Sequence, residues 1–199
     1  MKCHYCCRDA VFKCGLCGKF LCGEHAQLRT ACPECIKKTN LEYTIERATS
    51  EEKKNEIGGL VRGFWGEEDQ LTFDRKFKVS QLPSYVARFK DGVVGFISIA
   101  DIDDDVIIVA LGVLPQYQSS GLGKGLVKEV EDDAIRRKKK RLLVSTSNDD
   151  LPALAFYQSV GFQIYGVKLN VIAEKHGKIL MGIGNLPIRD ELRLQKRLG

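Results

Sequence analysis

The chain has 199 residues, 44% of them apolar and 29% charged, with a formal net charge of +5. That composition is ordinary for a folded globular chain. No run of about 18 apolar residues offers a membrane span, and +5 is too mild a charge to specify a nucleic-acid partner. The unusual feature is the eight cysteines: all lie between Cys3 and Cys35, and none follows. A disulfide scaffold would spread its bridges through the fold. A cysteine-dense head on a cysteine-free body points instead to a small metal or redox module and to a reducing, cytoplasmic setting. The opening MKCHYCCRD lacks the apolar stretch of a secretory signal.

The head, residues 1–40, spaces its ligands as four pairs with two-residue gaps: Cys3 and Cys6, Cys14 and Cys17, Cys22 and His25, Cys32 and Cys35. Zinc takes four ligands in a tetrahedron, so four pairs make two closed sites, structural rather than catalytic because no position stays open. A redox Cys-x-x-Cys would stand once, beside a βαβ pattern, and none is present. About 40 residues bury too little core to fold alone, so metal supplies much of the stability. Pairing one-with-three and two-with-four gives a cross-braced fold; pairing neighbours gives two successive knuckles. His4 and Cys7 stand beside Cys6 as alternative ligands. The head carries seven basic and three acidic side chains, a balance that bound thiolates largely cancel. The rhythm of residues 3–35 resembles B-box zinc fingers, departing at Cys32 and Cys35, where that family has histidines. The resemblance implies cross-bracing and a protein-interaction module.

Residues 36–42 read as a short polar linker, and a second domain spans 43–199. Tyr43–Ala48 alternates as a strand. Thr49 or Ser50 caps a helix running to about Arg62, with Glu51 and Glu52 in its first turn. Residues 67–82 read as helix or loop. Ser84–Lys90 and Val93–Ile102 form a hairpin through Asp91-Gly92. The acids of Asp101–Asp105 read as a solvated turn. The short β-branched apolar run Val106–Leu114 reads as a buried central strand. A glycine-rich loop, 118–125, leads into a helix over Leu126–Lys140, whose basic end, Arg136–Arg141, reads as solvated and helix-dipole-compatible. Without interleaved aromatics that run makes no nucleic-acid platform. Leu142–Thr146 is a strand, Pro152–Val160 a helix stopped by Gly161, and Phe162–Ala173 a late strand region. This mixed order predicts an α/β (α+β) layer fold.

Glycines between a buried strand and a helix let backbone N–H groups approach an anion. Gln118-Ser119-Ser120-Gly121-Leu122-Gly123-Lys124 has that placement but lacks a P-loop ending. The segment Gly112–Gly123 resembles motif A of the GNAT acetyltransferases, which binds the pyrophosphate of acetyl-CoA. Asn148–Phe162 resembles the same superfamily's motif B, with its Ala-Leu-x-Phe-Tyr-x-x-x-Gly-Phe ending. The resemblance covers about 43–173 and implies a GNAT fold, with a mixed central sheet and flanking helices. Asn185–Leu192 resembles a tail found in some GNAT proteins.

The resemblance implies direct acetyl transfer from acetyl-CoA to an amine, on a protein or a small molecule, in a ternary complex. Residues 118–124 then cradle the cosubstrate, and a backbone amide around Leu111, Gly112 and Val113 polarises the thioester. Gly112 suits either a strand bulge or a close backbone approach. Tyr157 stands at the general-acid position, its phenol suited to a thiolate leaving group. Asn148 either holds the cosubstrate or caps the following helix. No residue matches a general base; Glu67, Glu68, Asp190 and Glu191 are the candidates. That gap leaves a non-catalytic acetyl-CoA-binding regulator as the alternative reading.

Overall fold

The computed structural model describes residues 1–10, 12–13, 19–22, 42–90, 92–182 and 185–199. In the head, β1 (Phe12–Lys13) pairs antiparallel with β2 (Phe20–Leu21). Ahead of it, Cys3 N–H donates to Arg8 O at 2.9 Å and His4 N–H to Phe20 O at 2.8 Å.

The body is one seven-stranded sheet with helices on both faces. Its elements in chain order are β3 (Thr44–Arg47), α1 (Glu51–Trp65), β4 (Asp69–Thr72), β5 (Arg75–Lys78), β6 (Ser84–Phe89), β7 (Gly92–Ile102) and β8 (Asp105–Val113). There follow α2 (Leu122–Arg136), β9 (Arg141–Ser147), α3 (Leu151–Ser159), β10 (Gln163–Lys168), α4 (Val171–His176), β11 (Leu180–Met181), β12 (Pro187–Ile188) and β13 (Glu191–Arg197). The strand order is β10-β13-β9-β8-β7-β6-β3, with only β8–β9 parallel. This matches the expected α/β architecture with a mixed central sheet.

Periodicity explains which face each helix covers. Ile57 and Val61 of α1 recur at helical spacing and bury against Val86, Phe96 and Ala110. Leu122, Leu126, Val127, Val130 and Ala134 of α2 bury on the opposite face, against Val106, Ile108, Leu142 and Val144. Ser50 caps α1 by accepting from Lys53 N–H at 3.3 Å. Gly66, at φ +78, ends it, its N–H donating to Arg62 O.

Three expectations need correction, and the tail 191–197, which the sequence left without an element, gains one. Residues 67–82 form the β4–β5 hairpin followed by a 3-10 turn, Val79–Gln81, not an α-helix or a plain loop; the hairpin turn places Phe73 and Asp74 at φ 52 and 60, without the glycine that would signal it. α2 starts at Leu122, not Leu126. Gly123 and Gly125 lie inside it, at positions where a Cβ would stand 3.3 Å from Phe156 and 2.8 Å from Tyr43 respectively. The late region strands only to Lys168 before turning into α4. The charged tail 191–197 forms β13, an interior strand between β10 and β9; Leu194 is its fully buried residue.

The two charged runs face each other instead of water alone. Parallel pairing of Asp105 with Arg141 brings the ends together. Arg137 binds Asp101 at 2.7 Å, Lys140 binds Asp104 at 2.5 Å, and Arg141 binds Asp105 at 2.6 Å. The first two pairs are largely exposed and stabilise little, the third ends on the buried Asp105, and all three offset the basic run's charge.

The strand bulge lies at Val109, where the β7–β8 register passes from Ser98↔Ala110 to Ile99↔Ile108. Gly112 serves close approach instead: a Cβ there would lie 2.7 Å from Phe96 and 2.8 Å from Phe64. Gly112→Ala is therefore expected to lower stability by about 1–3 kcal/mol, the usual cost of overpacking. Urea unfolding of the two proteins measures it.

Candidate active site

The sheet opens at one place. β8 and β9 pair from Asp105↔Arg141 to Ile108↔Val144, and their pairing ends there, although β8 runs on to Val113 and β9 to Ser147. β9 stays paired with β13 along its whole length, from Arg141 to Ser147. The two strand ends therefore diverge, leaving a gap in the sheet.

The Val109 bulge decides what faces this gap. It reverses the side-chain parity of β8, so Val106 and Ile108 pack toward α2 before it and Leu111 and Val113 after it. Leu114 N–H donates to Val94 O at 2.9 Å, toward β7. By the two-residue alternation of a strand, the N–H groups of Leu111 and Val113 then point the other way, into the gap.

A cleft of about 320 Å³ occupies the α2 side of the gap. Leu111, Val113, Gln118, Ser119, Gly121, Gly123 and Lys124 line it, as does Tyr157. The loop turns sharply, with Ser119 at φ 65 and Gly121 at φ 92. First-turn helix N–H groups such as those of Gly123 and Lys124 have no intrahelical acceptor, which makes this end of the cleft favourable to an anion. Gln118 Nε2 donates to Val113 O at 3.1 Å, tying the loop to the strand end.

Four expected cosubstrate residues lie outside that lining. Gly112 faces Phe64 and Phe96. Leu122 is buried in the core. Ser120 Oγ donates to Tyr117 O at 2.6 Å, bracing the loop from within. Asn148 neither lines the cleft nor caps α3. Its Nδ2 donates to Pro187 O at 2.7 Å and its Oδ1 accepts from Arg189 and Asp190 N–H, each at 2.9 Å, clasping the C-terminal segment. Asp150 is the cap, accepting from Ala153 N–H at 3.0 Å; burial pushes its carboxyl above the ordinary range.

Tyr157 lies 7% exposed between Phe156 and Phe162, edge-on to both. Burial first, then the nearby Asp150 carboxyl, pushes its phenol well above the ordinary tyrosine range, so it keeps its proton. Tyr157 also lines a second cavity, of about 540 Å³, together with Phe64, Trp65, Thr72, Ser145 and Glu191. Leu111, Asp150, Ala153 and Tyr157 border both spaces.

The candidate bases separate clearly. Glu68 binds Ser80 at 2.6 Å and also Arg62, and these hold its carboxyl below the ordinary range. Asp190 accepts from Asn170 N–H at 2.8 Å, which with Arg189 lowers its carboxyl. Neither lines the second cavity. Glu67 does, paired with Lys175 at 2.9 Å. Glu191 also does, buried at 5% exposure. Thr72 and Ser145, which sequence reasoning passed over, join Glu191 there. Thr72 was hidden by reading its hairpin as helix or loop, and a serine within a strand carries no spacing signal.

In the head, the sulfur atoms of Cys3, Cys6 and Cys22 lie within 4.8 Å of one another. Cys6 Sγ and Cys22 Sγ are 3.7 Å apart. Two thiolates at about 2.3 Å from a tetrahedral zinc stand about 3.8 Å apart, so the spacing fits one. Cys7 is exposed, and neither it nor His4 belongs to this cluster among the described residues. Cys14, Cys17, His25, Cys32 and Cys35 lie outside the described residues. Among those described, no helix is long and apolar enough to cross a membrane.

Comparison with known proteins follows the same division. Residues 45–162 match the model of the acetyltransferase (GNAT) family. The uncharacterized protein YxbD of Bacillus subtilis is 27% identical over 156 residues, covering 75% of this chain and 96% of its own. An IAA acetyltransferase from Bacillus cereus superimposes with a TM-score of 0.63 at 22% identity, over 79% of this chain and all of its own. A GNAT family acetyltransferase from Elizabethkingia anophelis, solved with acetyl-CoA bound, gives 0.61 at 19% identity, over 78% of this chain and 98% of its own. The family match spans more than half of the sequence and contains the gap, the glycine loop and Tyr157. The chain belongs to the acetyltransferase (GNAT) family.

Proposed function

We propose that the body transfers an acetyl group from acetyl-CoA directly to an amine acceptor, on a protein or a small molecule, in a ternary complex. The observation that carries this is the placement of Tyr157 between two spaces that meet at the break in the sheet. One space takes the cosubstrate and the other the amine.

Acetyl-CoA supplies an activated thioester; the rest of the chemistry belongs to the chain. The loop 118–124 holds the pyrophosphate by its backbone and by Lys124. The N–H groups of Leu111 and Val113 face the thioester carbonyl and favour negative charge on its oxygen. Tyr157, protonated because buried, gives its proton to the departing sulfur. The donor end of the cleft, the glycine approach and the free strand edge all fit such a cosubstrate, and the relative from Elizabethkingia anophelis binds it.

The head is a two-zinc module that recruits or positions a protein partner. Clustering of Cys3 and Cys6 with Cys22 supports the cross-braced order, in which the first ligand pair shares a metal with the third. A thiolate-rich metal site also suits a reducing, cytoplasmic compartment.

Tyr157→Phe is expected to lower kcat by at least about 100-fold, the scale of a lost general acid, with the Kd for acetyl-CoA within twofold of the parent. Calorimetry and thiol-release assays read the two quantities. Unchanged kcat would remove Tyr157 from the chemistry, and absence of acetyl-CoA binding would remove the proposed function. Elemental analysis should find two zinc ions per chain, falling to one in Cys22→Ser. A metal-free protein with an intact head would overturn the zinc assignment.

A further inference from the structure

Glu191 has hydrogen-bond partners that give a direction to its surroundings. Its Oε1 accepts from Thr72 Oγ1 at 3.1 Å and from Phe73 N–H at 3.1 Å. Its Oε2 accepts from Arg193 at 2.9 Å. Thr72 Oγ1 also lies 2.6 Å from Ser145 Oγ. A hydroxyl has one proton to give, and an ionised carboxylate can only accept. Thr72 therefore donates to Glu191, and Ser145 must donate to Thr72. Ser145 Oγ is left as an acceptor on the wall of the second cavity, which all three residues line.

We propose that Ser145, Thr72 and Glu191 form a proton relay that receives the acceptor amine. This rests on the acetyltransferase reading above and names the basic partner of Tyr157. The amine N–H donates to Ser145 Oγ. As the nitrogen–carbon bond forms and the carbon–sulfur bond breaks, the nitrogen becomes acidic and releases that proton to Ser145. Ser145 passes its own proton to Thr72 Oγ1, and Thr72 passes its proton to Glu191 Oε1. Sulfur takes the Tyr157 proton. Glu191 ends as a neutral acid and Tyr157 as a phenolate; proton exchange through solvent restores both after the products leave, so the acetyl group has replaced one amine hydrogen.

Charged and titratable groups surround Glu191 at the relay's far end. They are Arg193 on its own strand, Lys168 and Tyr165 on β10, and Asp74 at the hairpin turn. Asp74 binds both Arg193, at 3.0 Å, and Lys168, at 3.4 Å. Arg193 is thus shared between two carboxylates, leaving Glu191 Oε1 to Thr72 Oγ1 and Phe73 N–H.

The test uses the full chain with acetyl-CoA and three amine probes: spermidine, an aminoglycoside and a peptide with a free N-terminus. Ser145→Ala and Thr72→Val break the relay without touching the Arg193 clamp, and Glu191→Gln removes its terminal base. Each is expected to lower kcat/KM at pH 7 by about 100-fold or more, and to move the acidic limb of its pH profile, where activity rises with pH, upward toward the amine's own pKa. The Ser145→Ala/Glu191→Gln double variant should lose no more than either single change, as residues acting as one unit do. The acetyl-CoA Kd of Ser145→Ala and Thr72→Val, and the thermal unfolding of Ser145→Ala, should match the parent. Parental pH profiles and rates in those two variants would overturn the relay while leaving the acetyltransferase reading intact. Loss of acetyl-CoA binding by the parent, or binding with no thiol release for any probe, would overturn that reading and the relay with it.

Discussion

The site depends on one broken ladder. Backbone donors and acceptors in a sheet interior are normally paired, and leaving them without partners is costly. β8 and β9 accept that cost beyond Ile108 and Val144 because each is held from its other side. β9 is paired to β13 over seven positions, and β8 to β7 up to Val113. The rigid flanks prevent the gap from closing, so its N–H groups remain available to a ligand. The Val109 bulge then turns alternate side chains so that Leu111 and Val113 border the cleft. A strand that elsewhere builds core here builds a binding wall.

The two halves of the gap are finished by different devices. On the cleft side, local backbone geometry is enough: positive φ at Ser119 and Gly121, and a helix start immediately behind them. On the cavity side, long-range contacts do the work. The β4–β5 hairpin reaches residues more than a hundred positions away, through Thr72 and Phe73 to Glu191 and through Asp74 to Arg193. Asn148 clasps residues 187–190, and Asp190 receives Asn170 N–H, so the C-terminal strand is anchored from both directions. The cavity wall is thus assembled from separate parts of the chain that a single strand, β13, holds in register.

Several parts of this were legible before any coordinates. The N-cap of α1, the β6–β7 hairpin, the buried run 106–114 and the α3 helix are local patterns, each with a local cause. The mistakes share a cause as well. The β4–β5 turn uses Phe73 and Asp74 at positive φ, against their intrinsic preference, because Glu191 and Arg193 hold the tip from outside. The β13 segment, Glu-Leu-Arg-Leu-Gln-Lys-Arg, has no strand reading from its charge-rich sequence; in the sheet Arg193 and Lys196 pair with Asp74, Glu191 and Glu131. The glycines of 121–125 have a loop's sequence, yet two of them sit in a helix where Phe156 and Tyr43 approach.

By itself the sequence determined the division into a cysteine-rich head and a cysteine-free body, the layered α/β class and the glycine loop; Tyr157 stood out only through the resemblance of its motif. The first three depend on spacing or periodicity over a few turns of chain, which local stereochemistry translates directly into geometry. Only the tertiary structure decided where the sheet opens, that the bulge falls at Val109 while Gly112 makes room for two rings, and that Asn148 serves the C-terminal segment. It alone brought Ser145, Thr72 and Glu191 into contact. Those outcomes follow from strand register and from packing between distant segments, and neither is encoded in any short stretch of residues.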